Sequence, residues 1–289
     1  MQKILGTGLT GLLGSRITEV LTEYEFVHAS RSTGVDIVSK ESLDNSISRF
    51  DGKYVLHMAA KADVDGCEQD RAEGENGQAW LMNVVGCQNV AELCKKYDKK
   101  MIYISTDFVF DGEKKLGESY TEDDIPNPIN WYGETKFHGE NAVKNSGAKY
   151  IILRIAYPYG NSSAVKKDFV RIIGNRLLEG KEIRGVTDHI MCPTYIDDIA
   201  YAIDACIKND AKGTYHVVGE SSITPYDAAL LIAEKLNISK DLISQTTRAE
   251  YFENKAARPL NLSLNNGKIK TLRVNMRTFE EGLGSIVFG

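Results

Sequence analysis

The sequence predicts a doubly wound parallel α/β sheet with a smaller lobe in its C-terminal half. Three observations predict it. Short apolar runs alternate with longer helical patterns through the first half, a Gly-rich turn separates the first run from the first helical pattern, and the alternation weakens after Ile155. Strands are expected at residues 3–5, 26–29, 54–58, 101–105 and 150–155, each followed by polar or Gly-containing turn chemistry. Between them, residues 12–21, 40–50, 80–97 and 132–144 space apolar side chains at three and four, as helices covering a sheet do. Farther on, residues 169–178, 196–207 and 225–235 read as helical and residues 213–218 as extended. Residues 1–156 are thus expected to form a nucleotide-binding domain and residues 157–289 mainly a substrate-binding lobe, with residues 187–217 returning to the first domain. The cleft between the lobes is the expected binding site.

Composition narrows the partners. The 289 residues carry a formal net charge of −5, with 35 basic and 40 acidic side chains spread along the chain. No basic stripe follows a phosphate backbone, which argues against nucleic acid. Cys67, Cys87, Cys94, Cys192 and Cys206 are odd in number and contain no Cys-x-x-Cys pair, against a disulfide framework and a structural zinc site. The chain runs from Met1 straight into a strand, and no apolar run approaches the ~20 residues that span a bilayer. A cytoplasmic protein with no membrane partner is expected, with a homodimer left open.

Gly8-Leu9-Thr10-Gly11-Leu12-Leu13-Gly14 stands after the first strand and opens the first helix, the context of a Rossmann-type dinucleotide cradle. A Cβ at Gly8 or Gly11 would obstruct the turn or the approach of a pyrophosphate, and Gly14 lets the helix pack on the strand. Gly8, Thr10, Gly11, Leu12 and Gly14 are therefore expected cofactor contacts. The second strand ends Ala29-Ser30-Arg31-Ser32, without the acid that would bond a ribose 2′-hydroxyl. Arg31 and Ser32 suit a 2′-phosphate, so NADP(H) is preferred and NAD(H) stays compatible. Arg31 as a solvent-facing loop cap is the alternative. Asp36 and Ile37 are expected near the adenine.

Tyr132-Gly133-Glu134-Thr135-Lys136 places a phenol and an ammonium four residues apart, on one helix face. A nearby Lys⁺ favours the phenolate and lowers a tyrosine's pKa. The buried-strand pattern Tyr103-Ile104-Ser105-Thr106-Asp107 ends in hydroxyls where an open α/β sheet binds ligands. Thr106 is the expected third catalytic residue, holding a substrate carbonyl oxygen, and Ser105 is an expected cofactor contact beside Tyr132 and Lys136.

The stretch from Tyr103 to Gly112, with Tyr132 to Lys136, resembles the dTDP-4-dehydrorhamnose reductase family, a branch of the extended short-chain dehydrogenases. The resemblance extends to Ala59-Ala60, Val64-Asp65, Glu68, Asn83, Arg154, Pro193-Thr194-Tyr195, Tyr215-His216-Val217, Arg258-Pro259 and Glu281-Gly282-Leu283. It implies a reductase that delivers hydride to C4 of a 4-keto-6-deoxy sugar on a dTDP carrier, in carbohydrate biosynthesis of the dTDP-rhamnose type. It also implies that Thr106, Tyr132 and Lys136 are catalytic, that Lys136 bonds the nicotinamide ribose, and that Ala59, Ala60, Lys61 and Asn83 line the cofactor crevice. Four departures fall on what the family pattern makes the substrate side: His57 for Asn, Phe108 for Tyr, Tyr157 for Trp and Leu262 for Ser. A lost hydroxyl can change specificity. Two alternatives stay open: a nucleotide-sugar epimerase or dehydratase with bound NAD, and a non-catalytic regulatory subunit resembling the methionine adenosyltransferase β subunit.

Other polar residues are read structurally. His57, His138, His189 and His216 show no ligand spacing, so no metal is expected. Asp63 and Asp65 are assigned to a solvated loop, and Asp197-Asp198 to capping a helix start.

Overall fold

The computed structural model describes residues 1–162, 164 and 167–288. Its strands are β1 (Gln2–Thr7), β2 (Tyr24–Ala29), β3 (Tyr54–His57), β4 (Lys100–Thr106), β5 (Lys149–Ile155), β6 (Pro158–Tyr159), β7 (Ile183–Val186), β8 (Thr194–Tyr195), β9 (Gly213–His216) and β10 (Ile243–Thr246). Six of them form a parallel sheet in the order β2-β1-β3-β4-β5-β9. The order reverses between β1 and β3, which opens a crevice beyond their C-terminal ends. Every residue of β3 and β4 is buried, which is why these strands read as nearly continuous apolar runs.

Helices cover both faces: α1 (Leu12–Val20), α2 (Lys40–Arg49), α3 (Val64–Gln69), α4 (Gln78–Trp80), α5 (Gly86–Lys96), α6 (Trp131–Asn145), α7 (Phe169–Leu178), α8 (Ile196–Lys208) and α9 (Pro225–Lys235). One core layer joins Ile17 of α1 and Leu21 just after it to Ile199 and Ile203 of α8 across Ile4, Ile102 and Ile151. The opposite layer joins Leu43 and Ile47 of α2 to Val90 of α5 and Val143 of α6. A third core around Tyr159, Val170, Ile232 and Phe279 belongs to the smaller lobe, with β7 paired to β10 and β6 to β8. The expected lobe span includes residues 163, 165, 166 and 289, which lie outside the described residues.

Residues expected as one helix over 80–97 form three pieces, because a π-helical turn at Leu81–Val85 separates α4 from α5. That turn carries Asn83. The late segment rejoins the sheet layer, with β9 alongside β5 and α8 against α1. Asp197 and Asp198 do open α8, but neither side chain caps it. Asp197 binds Arg16 of α1 through two bonds of 2.7 and 2.8 Å, and Asp198 takes the backbone N–H and guanidinium of Arg277. An arginine is the stronger partner for a shielded carboxylate.

Candidate active site

The glycine turn has the shape of a ligand cradle. Gly8 has φ +73°, and a Cβ there would stand 2.7 Å from the backbone nitrogen of Ala59, where the turn touches the end of β3. A Cβ on Gly14 would come within 2.5 Å of Gly8 O and Leu9 Cα. Only glycine fits either position. Gly11 is exposed, and as the N-cap of α1 it offers no side chain to the free N–H groups of the first turn. Such a helix start suits an anionic ligand. Thr10 is exposed beside it and Leu12 half-buried.

At the end of β2, Ser30 to Thr33 form a tight 3₁₀ turn, with Ser30 and Ser32 hydroxyls 2.9 Å apart. Arg31 is neither bare nor buried: its side chain is 71% exposed and lies 3.2 Å from Asp36. Asp36 therefore holds the arginine, while its backbone is pinned by Ser42. Ile37 is buried under Gly86, where a Cβ would meet it at 2.7 Å.

The crevice wall after β3 corrects part of the expected contact set. Ala59 and Ala60 are half-buried along it. Asn83 does not reach into the crevice with its amide: Oδ1 accepts from Lys61 N at 2.9 Å, and Nδ2 donates to Lys61 O and Thr135 Oγ1, both at 3.0 Å. It ties the wall to α6. The Lys61 ammonium turns to Asp70 at 2.6 Å, because a carboxylate lies within its reach. Ser105 also leaves the crevice, its hydroxyl donating to Glu140 at 2.7 Å in the interior.

At the end of β4, alternate residues point to opposite faces, so Thr106 takes the other side from Ser105. Its hydroxyl lies on the Tyr132 side, where it works to lower the pKa of the phenol. Thr106 Oγ1 donates to Asp107 Oδ1 at 2.9 Å and accepts from Phe108 N at 3.3 Å. Asn130 caps α6 through Gly133 N at 2.8 Å, which sets the first turn that carries Tyr132. One turn on, Lys136 is buried, donates to Ile104 O at 2.8 Å and lies 4.2 Å from the centre of the Tyr103 ring. The three expected catalytic side chains thus converge at one strand end.

Their electrostatics differ from the sequence expectation. Burial raises the Tyr132 pKa well above its ordinary value, opposed only in part by the nearby Thr106 hydroxyl. Lys136 does not lower it here, because its ammonium is drawn to Ile104 O. Burial brings Lys136 itself down to about 8. Behind the pair, Glu140 binds Arg154 through two bonds of 2.8 Å. Burial alone would raise the carboxyl's pKa, but Arg154 outweighs it and holds it below the ordinary value.

The departures sort by burial. His57 lies behind the crevice, its Nδ1 2.7 Å from Thr7 Oγ1, and burial with the Lys136 charge pushes its pKa down to about 3. Leu262 is fully buried against Phe108, Phe110 and Cys192 and serves packing. Phe108 does stand edge-on to the Tyr132 ring, and Tyr157 lies against the ring of Phe108. Tyr157 holds φ +40°, and its hydroxyl donates to His189 Nε2 at 2.8 Å while Nδ1–H of His189 donates to Pro259 O at 2.7 Å. Asp65, expected in solvent, accepts from Arg258 at 2.7 Å. Asp63 is exposed as expected. Two surface cavities of about 460 and 380 Å³ lie elsewhere, against α8 and around Lys53 and Lys100. Chemistry, not cavity volume, marks the site.

The family model described as the RmlD substrate binding domain matches residues 1–288. The chain belongs to this family. A dTDP-4-dehydrorhamnose reductase of Aggregatibacter actinomycetemcomitans is 33% identical, over 93% of this chain and 92% of its own. The methionine adenosyltransferase 2 subunit beta of Rattus norvegicus is 29% identical, over 96% of this chain and 84% of its own. The crystal structure of a dTDP-4-dehydrorhamnose reductase from Bacillus anthracis in complex with NADP superposes with TM-score 0.89 at 30% identity, covering 98% of each chain. The RmlD family resemblance in the sequence is thereby borne out, as is the Rossmann-type fold. Asp107 and Glu140 are the site-forming residues that sequence reasoning passed over. Their place beside Thr106 and one turn after Lys136 was the available signal. Among the described residues, no group of three or more His, Cys, Asp or Glu is placed to hold a metal, and no helix is long and apolar enough to cross a membrane.

Proposed function

We propose that this chain is an NADP(H)-dependent reductase of a nucleotide-linked 4-keto-6-deoxy sugar. The observation that carries the reading is the meeting of Thr106, at the end of β4, with Tyr132 and Lys136, one turn apart on α6, where Lys136 bonds Ile104 O and Phe108 stands edge-on to Tyr132, beside the strand β3 whose end the glycine cradle touches. The B. anthracis relative with NADP and the A. actinomycetemcomitans reductase support the cofactor and the substrate class.

NADPH, when bound, supplies the hydride that goes to the ketone carbon, C4 of the sugar. The free N–H groups at the start of α1 would hold its pyrophosphate, at a turn that only glycines can build. Arg31 and Ser32 would receive a 2′-phosphate, and the end of β2 itself carries no acid. Asp36 pairs with Arg31 and competes with that phosphate for it, while NAD(H) needs neither contact. Tyr132 is held protonated by burial, the form that can give its proton to the growing alkoxide. Lys136, charged below about pH 8, spends one N–H on Ile104 O, keeps donors for a ribose hydroxyl and steadies the phenolate once it forms. Thr106 holds the ketone oxygen. Phe108 and Tyr157 present the aromatic surface to the sugar.

The test is oxidation of NADPH with dTDP-4-keto-6-deoxy-L-lyxo-hexose, comparing wild type with Tyr132→Phe. Turnover that falls by about 10²-fold or more in the variant, with NADPH binding retained, supports the assignment. Equal turnover would remove Tyr132 as the proton donor. The likeness to the rat β subunit favours a second reading, a regulatory subunit; tight NADPH binding with no turnover on any keto sugar would select it.

A further inference from the structure

Thr106 has one proton and several claims on it. A hydroxyl donates once and accepts twice. Its oxygen accepts from Phe108 N, and its proton goes to Asp107 Oδ1 at 2.9 Å, leaving one acceptor site. When Asp107 is ionised it can only accept, so the Thr106 proton is held on Oδ1 and points away from a substrate oxygen. When Asp107 is protonated it can donate to Thr106 and fill the acceptor site itself. The Thr106 proton is then released and can turn to the ketone.

We propose that Asp107 is a positioning residue that sets the direction of the Thr106 hydroxyl, its neutral carboxyl aiming that proton at the substrate oxygen. The inference rests on the reductase reading. Asp107 is 1% exposed, and its second oxygen is buried with no hydrogen-bond partner among the described residues. The titratable groups that face it are Tyr132 on α6, Tyr157 after β5 and Cys192 ahead of β8. None is a cation. A shielded carboxyl without a counter-charge keeps its proton more tightly, and burial brings Asp107 to about 7 against the opposing Thr106 bond. No proton is transferred to substrate by Asp107; Tyr132 still gives it.

Two measurements test this on the full chain. The first is ¹³C NMR of carboxyl-labelled aspartate in the protein without added ligand, with the Asp107 signal assigned by its loss in Asp107→Asn. A carboxyl titrating near pH ~7 stands apart from surface aspartates even if that variant fails to fold. An Asp107 already ionised from about pH 5 upward would overturn the proposal. The second is the pH profile of NADPH-dependent turnover. Between about pH 6 and pH 8.5 the wild-type rate should fall more than about tenfold, as Asp107 and then Lys136 deprotonate, whereas Asp107→Asn should fall less than about fivefold. Superimposable profiles would overturn the role of Asp107 and leave the reductase reading standing. Absence of turnover in the wild type would instead overturn that reading, and with it any role of Asp107 in reduction.

Discussion

Two arginines mark opposite uses of charge in this chain. Arg154 is 1% exposed, binds Glu140 through two bonds of 2.8 Å, and shares that carboxylate with Ser105. Arg31 has a side chain 71% exposed and a single 3.2 Å contact to Asp36. The first pair ties α6 to β4 and β5, and so fixes where Tyr132 and Lys136 stand. The second sits at the rim and can exchange a carboxylate for a phosphate at little cost, because water already screens it. The crevice thus combines a rigid floor for chemistry with an adjustable edge for recognition.

The largest effect expected is on the floor. Glu140→Ala leaves a guanidinium buried without its counter-charge, and should cost about 3–5 kcal/mol of unfolding free energy in a denaturant titration. A cost below about 1 kcal/mol would erase the contrast between the two pairs. Because the folded pKa of Glu140 lies below its unfolded value, its contribution is complete above the ordinary glutamate range and is lost as pH falls through the lowered value. Glu140→Gln should therefore flatten the acid end of the stability profile. At the rim, Arg31→Ala should weaken NADPH binding about tenfold and NADH binding hardly at all, with a stability change under about 0.5 kcal/mol. Equal losses for both cofactors would place the 2′-phosphate elsewhere. The smallest effect is expected for Asp36→Ala, which frees Arg31 and should tighten NADPH binding about two- to threefold by titration calorimetry. Weaker binding of NADPH would show that Asp36 orients the guanidinium more than it competes for it.

The sheet was legible because β3 and β4 are buried on both faces, and such strands announce themselves as apolar runs. The cradle was legible because a turn that admits no Cβ at Gly8 or Gly14 must write glycine into the sequence. Ser105 and Thr106 show where legibility ends. Both are hydroxyl residues at the end of β4, yet the strand turns one to Glu140 and the other to Asp107, and residue type does not say which. Asn83, Lys61 and Leu262 pose the same difficulty: the sequence displays their chemistry, but only the packing decides that they brace the wall or fill the core. The short pairs β7–β10 and β6–β8 carried too few residues for a period to show.

The return of β9 and α8 to the sheet has a consequence for how the chain is made. A growing polypeptide that has reached β5 already contains the cradle, Thr106, Tyr132 and Lys136, yet the outer edge of β5 stays unpaired until Gly213–His216 is synthesised. The α1 face that α8 covers stays bare with it. Open strand edges invite pairing with other chains, so the interval is the stretch of synthesis most exposed to misassembly. It also means that the smaller lobe is inserted into the sheet layer as much as appended to it. Exchanging that lobe between relatives would require three junctions, after β5, ahead of α8 and after β9, and a single cut after β5 would yield a half unable to close its own sheet.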